Sequence, residues 1–267
     1  KSAMAQVIIN ELDALKKEYS QKRRTVIDNC EEVVFEEKKI EEAPAYCLID
    51  RFGYTRCVDV ATFERNQEAA FAENRFVFLV KNTGRICLFT NTGQLYTVKV
   101  SDLPFGKFRD KAIPLDNVSN FDSTREQLLL AVGQSELNLY RLLFVTKQGM
   151  TKMVDGGEFD VMKRTVAATK LQEGDEVANV CVYQDQKYII LQSKDGFFLR
   201  FEVEEIPEKK KNAVGVRGMK LSDGDEIEAV FYTRSGDETS VEYKSRTLVL
   251  NQLKLAHRDS KGTKVRA

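Results

Sequence analysis

The chain has 267 residues, 42% of them hydrophobic, and its 41 lysines and arginines balance its 41 aspartates and glutamates. This composition is typical of a folded soluble protein, and zero net charge neither favours nor excludes a polyanionic partner. The five cysteines lack C-x2-C spacing and the only histidine is His257, so metal sites and a Ser-His-Asp triad are disfavoured. No apolar run approaches the roughly 20 residues that span a bilayer, and no secretory signal is present. We therefore expect a cytoplasmic protein without a membrane partner.

The first 24 residues are predicted to form a helix, because apolar residues recur at spacings that place them on one helix face. These residues are Ile8, Leu12, Leu15 and Tyr19. An acidic stretch at 28–42 follows, closed by Pro44, and is interpreted as a linker in which "VVF" (33–35) could dock as a short strand. Because the sequence begins at Lys1 without a methionine, we expect it to be part of a longer protein.

From residue 44 to the end, short runs of β-branched and aromatic residues alternate with turn residues, which predicts an all-β domain of many short strands. Two stretches, "KLQEGDEVANV" (170–180) and "KLSDGDEIEAV" (220–230), repeat the pattern KL-x2-GDE. Their Gly-Asp pairs are predicted to turn into the strands that follow at once. In these turns Asp175 and Asp225 are expected to accept backbone N–H bonds.

A longer repeat includes both stretches, and each unit is predicted to contain a β-hairpin with apolar residues at fixed distances from a turn glycine. The glycines are Gly53, Gly93, Gly149 and Gly196. A fifth, decayed copy has Ser245 in the glycine position, with Leu250 and Leu255 in the apolar ones. A sixth unit could lie in 106–140. Units of roughly 40 to 50 residues with about four strands favour a propeller-like ring over a β-sandwich or two small barrels.

Basic residues recur in the long loop that follows each hairpin. The segments "KNAVGVR" (211–217) and "RDSKGTK" (258–264) match in their cations and in a central glycine, which lets a backbone approach a phosphate closely. Positively charged loops at the repeat period would form the stripe that a bent polyanion needs. The candidate phosphate-binding residues are Arg65, Arg109, Lys163, Arg164, Lys209, Lys210, Lys211, Arg217, Arg258, Lys261 and Lys264.

Three stretches, "LLFVTKQGMTKM", "KNAVGVRGMKLSDGDEI" and "HRDSKGTKVR", resemble the C-terminal domain of the A subunit of bacterial type IIA topoisomerases, that is, DNA gyrase and topoisomerase IV. "IINELDALKKEYSQKRRTVI" is similar to the end of the coiled-coil arm that precedes this domain in the family. The resemblance implies that residues 1–43 are the arm end and linker. It implies that residues 44–267 form a β-pinwheel, a propeller-like ring of five or six four-stranded blades that exchange strands. It also implies sequence-nonspecific binding and bending of duplex DNA on a basic rim.

The resemblance places the chemistry of the parent enzyme outside this chain. The strand-cleaving tyrosine would precede Lys1, and ATP and Mg²⁺ would be used by other domains and by a separate B subunit. We therefore expect no catalytic residue, cofactor or metal site here. The chain is expected to be monomeric and to reside at the bacterial nucleoid.

One departure from the family concerns the first long loop, "FERNQEAAFAENR" (63–75), which lacks the glycine- and arginine-rich box of gyrases. Without glycine, and with Glu68 facing the phosphates, tight wrapping of DNA at this loop is disfavoured. The sequence therefore favours a topoisomerase IV-like protein. The alternatives are a divergent A subunit of gyrase and a protein-interaction propeller.

Overall fold

The computed structural model describes residues 2–25 and 41–265. The chain divides into two compact units, Lys1–Ile40 and Glu41–Ala267. In the first unit, helix α1 (Ser2–Tyr19) confirms the predicted helix, and its apolar side chains are exposed. The predicted linker lies outside the described residues up to residue 40, together with its "VVF" stretch. Among the described residues no helix is both long and apolar enough to cross a bilayer.

The described part of the second unit, residues 41–265, contains eighteen strands, three α-helices and five short 3-10 turns. The strands are β1 (Pro44–Asp50), β2 (Tyr54–Asp59), β3 (Asn74–Lys81), β4 (Arg85–Thr90), β5 (Gln94–Lys99), β6 (Ile113–Pro114), β7 (Leu128–Gly133), β8 (Arg141–Thr146), β9 (Met150–Asp155), β10 (Thr165–Ala167), β11 (Val177–Tyr183), β12 (Tyr188–Ser193), β13 (Phe197–Glu202), β14 (Val216–Arg217), β15 (Ile227–Thr233), β16 (Ser240–Tyr243), β17 (Arg246–Val249) and β18 (Thr263–Lys264). The helices are α2 (Val60–Arg65), α3 (Gln67–Glu73) and α4 (Gln134–Leu137). The 3-10 turns are Val100–Asp102, Leu115–Asn117, Gly156–Phe159, Val203–Glu205 and Leu250–Gln252.

Four antiparallel sheets of four strands form successive blades. From inner to outer edge their strand orders are β3-β1-β2-β6 in blade 1, β7-β4-β5-β10 in blade 2, β11-β8-β9-β14 in blade 3 and β15-β12-β13-β18 in blade 4. The inner strands of consecutive blades contact one another. The two central strands of each blade are a hairpin from one repeat, whereas the outer strand comes from the next repeat along the chain. Neighbouring blades therefore exchange strands, which confirms the predicted all-β pinwheel.

The fifth repeat contributes the two-stranded sheet β16–β17 within the described residues. Its Ser245 has a φ of 63°, so it takes the left-handed turn conformation that the glycines take in the other hairpins. Leu250 is fully buried, but Leu255 is 46% exposed. Residues 106–140, considered as a sixth unit, instead supply β6 to blade 1 and β7 to blade 2. The described residues thus form four complete blades and one further hairpin.

Hydrophobic cores lie between consecutive blades, because each sheet buries both of its faces. Phe144 of blade 3, 2% exposed, meets Phe89 of blade 2 edge-on with ring centroids 6.1 Å apart. The two faces that lack a neighbouring blade are covered differently. Helices α2 and α3 pack on blade 1, and the β16–β17 hairpin packs on blade 4. The apolar positions of the repeat alignment are therefore the blade interfaces.

Helices α2 and α3 were not expected, since the sequence predicts only strands and loops after residue 44. They are six and seven residues long, which is too short for a helical period to show in the sequence. Asp59 caps α2, because its Oδ1 accepts the Thr62 N–H at 2.7 Å. The Phe63 ring stacks on Tyr46 with centroids 3.7 Å apart. Segment 63–75 is thus a packed cover of blade 1.

The two GDE segments act as predicted for the turns. Asp175 Oδ1 accepts N–H bonds from Gln148 and Glu176 at 3.0 and 2.8 Å. Asp225 Oδ1 accepts the equivalent pair of bonds in blade 4, both at 3.0 Å. Strands β11 and β15 begin directly after these turns. The paired aspartates therefore fasten an inner strand to the hairpin turn of its own blade.

Candidate nucleic-acid interface

Four segments carry the chain from a 3-10 turn to the outer edge of the preceding blade, and we call them crossing loops. They are residues 103–112 on blade 1, 160–164 on blade 2, 206–215 on blade 3 and 253–262 on blade 4. Each ends in the outer strand of that blade. Ten of the eleven predicted cations lie in these loops or in the outer strands that follow them. The structure thus distributes the candidate residues over four successive outer edges.

On blades 1 and 2 the predicted cations are exposed, and hydrogen bonds to backbone groups of the loops hold these loops in place. Arg109 is exposed in the first loop, where the nearby Asp110 Oδ2 accepts the Lys107 N–H at 2.7 Å. Lys163 and Arg164 are exposed in the second loop. Their carbonyl oxygens accept hydrogen bonds from the hydroxyl and the N–H of Thr97, both at 3.0 Å. The side chains of all three predicted cations are therefore directed to solvent.

On blade 3 the loop is held by a carboxylate. Glu158 Oε2 accepts the Lys211 N–H at 2.8 Å, and Glu158 Oε1 lies 3.2 Å from the Lys210 amine. Burial alone would raise the pKa of Glu158, but the Lys211 N–H and the Lys210 charge lower it below its usual value. The Lys211 amine donates to the Glu158 carbonyl at 2.8 Å. Lys211 is therefore engaged within the protein, whereas Lys209 and Lys210 are exposed.

Blade 4 repeats this arrangement. Glu205 Oε2 accepts the Arg258 N–H at 3.1 Å and lies 3.4 Å from His257 Nδ1. The loops of blades 3 and 4 also touch, since Arg217 Nε lies 3.3 Å from Asp259 Oδ1 and Arg258 Nη1 donates to the Arg217 carbonyl at 3.3 Å. The last two loops thus form one joined surface, which carries their cations together with the carboxylates of Glu158, Glu205 and Asp259.

An aromatic ring lies within this surface. The amines of Lys261 and Lys264 lie 4.7 and 5.2 Å from the centroid of the half-buried Phe197 ring. At exposed sites such cation–π contacts are worth about 0.5–1 kcal/mol each. Both lysines remain exposed. The ring therefore orients two cations at the outer edge of blade 4 without removing them from solvent.

The two loop glycines have a packing role that the sequence did not predict. Gly215 and Gly262 have φ of 104° and 80°. A Cβ on Gly215 would lie 2.6 Å from the Thr151 carbonyl oxygen, and one on Gly262 would lie 2.5 Å from that of Phe198. Packing against the preceding blade therefore requires both glycines, and their approach to a phosphate stays a prediction. They allow the incoming loop to lie against the strand of the preceding blade.

Two predicted correspondences differ from the structure. Arg65 lies in α2, between β2 and β3, and its Nε donates to the Ala61 carbonyl at 3.1 Å. It is therefore outside the four crossing loops. Lys211 and Arg258 both lie five residues before an outer strand, but that place is occupied by Phe108 on blade 1 and Asp160 on blade 2. The repeated cation position therefore holds for two blades, since Arg109 is displaced by one residue in a blade 1 loop of the same length and the blade 2 loop has only five residues.

Sequence reasoning missed the cations inside the blades. Lys152 on β9 is 1% exposed, and its amine donates to the carbonyls of Lys211 at 2.7 Å, Ala213 at 2.8 Å and Lys210 at 3.4 Å. Burial lowers its pKa to about 8, although Glu158 opposes the shift. The only available signal was a lysine in an otherwise buried strand, three residues after a turn glycine. The same pattern is equally compatible with a lysine that faces solvent from its strand.

The arrangement can bind anions. Exposed lysines and arginines at successive outer edges are donors suited to phosphate oxygens. Within residues 2–25 and 41–265 no group of three or more His, Cys, Asp or Glu side chains is placed to hold a metal ion. The carboxylates of Asp175 and Asp225 lie on different blades, and Oδ1 of each accepts turn N–H bonds, as described above.

The chain is similar in sequence to a known family. The model of the family "DNA gyrase C-terminal domain, beta-propeller" matches residues 84–117, 140–180 and 187–234, which begin at or next to the hairpins of blades 2, 3 and 4. The chain is 30% identical over 231 residues to the A subunit of DNA gyrase from Helicobacter pylori (strain ATCC 700392 / 26695), covering 80% of this chain and 27% of that protein. It is 27% identical over 232 residues to the A subunit of DNA topoisomerase 4 from Bacillus subtilis (strain 168), covering 83% and 29%. The chain thus spans less than a third of the curated relatives it matches.

The fold is similar to a solved structure as well. A crystal structure of the C-terminal domain of DNA topoisomerase IV superimposes with a TM-score of 0.74 at 21% identity, covering 84% of this chain and 73% of that one. At this identity the superposition supports the fold, and the family assignment comes from the sequence matches. Together with the exchanged strands, these findings show that the chain belongs to the family of C-terminal β-propeller domains of the A subunits of DNA gyrase and topoisomerase IV.

Proposed function

We propose that the outer edges of blades 1 to 4 bind duplex DNA without sequence specificity and hold it bent. The observation that carries this proposal is the recurrence of exposed cations at successive outer edges. Arg109 supplies one on blade 1, Lys163 and Arg164 lie on blade 2, and the joined loops of blades 3 and 4 supply the others. Phosphate contacts of this kind fix the path of a duplex but carry no sequence information.

Bending requires compensation from these contacts. Smooth bending of a site of 20 to 30 base pairs by 40–90° costs on the order of 1–6 kcal/mol. Release of condensed counterions from each neutralised phosphate supplies a favourable term of the opposite sign. The cations lie on the outer edges of four successive blades and are not confined to a single loop. A duplex that contacts all of them must therefore curve around the domain. Binding and bending are therefore one process here.

We infer further that the parent protein is topoisomerase IV-like, and that ATP, Mg²⁺ and the B subunit bind to parts of it outside this chain. Support comes from segment 63–75, where gyrases carry their glycine- and arginine-rich box. Here the segment contributes helices, and Phe63 and Ala70 are buried against blade 1. A packed, glycine-free cover offers few free N–H groups to a phosphate. Weak wrapping at blade 1 is the expected consequence.

An electrophoretic mobility shift with a duplex of about 40 base pairs, shorter than the persistence length of DNA, tests the proposal. The variant Arg258→Glu with Lys261→Glu and Lys264→Glu should bind at least tenfold more weakly than the wild type, since removing one cation–phosphate pair weakens binding about fivefold at moderate salt. A Lys187→Glu variant is a control for charge reversal at a single exposed lysine, because Lys187 precedes β12 and belongs to none of the crossing loops. Equal affinity of wild type and triple variant would contradict the proposal and would favour a protein-binding propeller.

A further inference from the structure

Three cations inside the blades share one contact pattern, and we call them the interior cations: Arg56, Lys152 and Arg200. Each lies on the second strand of its hairpin, three or four residues after the turn glycine. Arg56 Nη1 donates to the Asp110 carbonyl at 3.2 Å. Arg200 Nη1 donates to the carbonyls of Asn251 and Leu253 at 2.6 and 3.1 Å. Lys152 reaches three carbonyls, as described above. Each interior cation therefore binds carbonyl oxygens at or beside the crossing loop that lies on its own blade.

The pattern follows the length of the loop. The crossing loops of blades 1, 3 and 4 have ten residues each, 103–112, 206–215 and 253–262, and each has an interior cation. The loop of blade 2 has five residues, 160–164. Blade 2 places Tyr96 three residues after its glycine, and the Tyr96 hydroxyl donates to Glu126 Oε1 at 2.6 Å. The five-residue loop also receives side-chain donors, since Arg85 Nη1 donates to the Met162 carbonyl at 3.4 Å and Gln134 Nε2 to the Val161 carbonyl at 2.8 Å, but these come from β4 and α4 rather than from the second strand of the hairpin.

The contacts have an electrostatic consequence at the rim. Carbonyl oxygens carry partial negative charge, so a loop that directs them outward would repel phosphates. Lys152 draws the carbonyls of residues 210, 211 and 213 inward, towards the interior of blade 3. On the same loop Glu158 accepts the Lys211 N–H. Both contacts fix the loop in one conformation, in which the Lys209 and Lys210 side chains are exposed.

We propose that the interior cations are positioning residues of the DNA-binding surface, which hold the ten-residue crossing loops so that their carbonyls face inward and their exposed cations face DNA. The inference rests on the proposed function for its DNA part. Its structural part, the ordering of the loops, concerns the protein without DNA. The two parts can therefore be measured separately.

Amide hydrogen exchange without DNA and fluorescence anisotropy with a short duplex test the proposal on Lys152→Met, Lys152→Arg and Lys147→Met. Lys147→Met is the charge-matched control, since it removes one positive charge from the hairpin turn of the same blade, where the Lys147 amine lies 2.9 Å from Glu176 Oε2. In Lys152→Met, exchange in 206–215 should be about tenfold faster, as expected when carbonyls lose a charged donor. DNA affinity should fall about fivefold more than in the control at roughly 0.15 M salt, equivalent to one displaced phosphate contact. Lys152→Arg should restore most of both, because blade 1 already uses arginine at this place.

Unchanged exchange in 206–215 would overturn the proposal. Faster exchange with an affinity no lower than that of the control would overturn the positioning role and leave DNA binding intact. Absence of DNA binding by the wild type would overturn this inference together with the proposed function. If Lys152→Met does not fold, Arg56→Met replaces it, because Arg56 is half-buried and makes one carbonyl contact. Its expected result is faster exchange in 106–112, and unchanged exchange there would refute the proposal.

Discussion

The salt dependence of DNA binding can be worked out from the structure. Six predicted cations are exposed and form no ion pair with any residue of the described ranges: Arg109, Lys163, Arg164, Lys209, Lys261 and Lys264. If each neutralises one phosphate, the slope of log K against log salt is about −0.9 times six, or roughly −5. Raising the salt from about 50 to 200 mM should then weaken binding on the order of a thousandfold. Lys210 and Arg217 are left out because they are paired with Glu158 and Asp259.

Fluorescence anisotropy with two unrelated duplexes of about 40 base pairs measures this slope. Both sequences should give the same value, since no base contact is expected. Arg109→Gln should reduce the slope by about 0.9, whereas Lys187→Gln, in an exposed residue that belongs to none of the crossing loops, should leave it unchanged. A slope shallower than about −2 would refute the reasoning, because it would mean that most of these cations do not reach phosphates.

Three further predictions concern the fold. Asp225→Ala should lower the free energy of unfolding by about 1–3 kcal/mol in urea titrations, because two turn N–H groups lose their acceptor, whereas exposed Asp223→Ala should change it little. Gly215→Ala should destabilise more than Gly236→Ala, since both glycines have positive φ but only Gly215 would place a Cβ against a carbonyl; equal losses would contradict this account. Burial raises the pKa of the Cys87 thiol to about 12. As the pH rises, the thiol therefore loses its proton in the unfolded chain before it does in the folded one. The free energy of unfolding should fall above about pH 9 by up to about 1.4 kcal/mol per pH unit. Cys87→Ala should remove that component when unfolding is compared at about pH 8 and about pH 10.5, on either side of the ordinary thiol pKa, and an unaltered pH dependence would exclude it.

The repeat architecture was predictable because it depends on local signals. A turn glycine, a small polar residue before it and apolar residues at fixed distances recur in every complete unit, and the structure gives those glycines positive φ. The GDE turns were predictable for the same reason, since Gly224 takes positive φ and Asp225 Oδ1 accepts the N–H of its neighbour Glu226, although its second donor, Asp195 in the hairpin of the same blade, lies 30 residues away. Helices α2 and α3 were not, because packing of Phe63 and Ala70 on blade 1 stabilises segments too short to have a recognisable period.

The candidate site was predictable in composition but not in geometry. Exposed lysines and arginines were found because they cluster in sequence between hairpins. Their hydrogen bonds within the protein could not be predicted, because the partners of Lys211 and Arg258 lie 53 residues away, in the preceding repeat. A loop glycine such as Gly215 reads the same whether it faces a phosphate or a Thr151 carbonyl. The charges can be counted in the sequence, whereas the orientation of the side chains that carry them depends on these long-range contacts.

Strand exchange has a consequence for how evenly the rim holds DNA. Each crossing loop is encoded in one repeat but is supported by the blade before it, so blade 3 contacts the cations that precede β14, up to 59 residues along the chain from Lys152. The charge of the DNA-binding surface and the orientation of its cations thus come from different repeats. The crossing loop supplies the charge, and the blade on which the loop lies supplies the orientation. Blade 2 illustrates the difference, because the carbonyls of Lys163 and Arg164 in its loop are bound by the Thr97 hydroxyl and N–H rather than by a cation on the second strand of the hairpin. Each ten-residue loop has carbonyls bound by an interior cation, whereas the carbonyls of the five-residue loop are bound by Thr97, Gln134 and Arg85. The strength with which each blade holds DNA should therefore follow the support of its loop as well as the number of its cations.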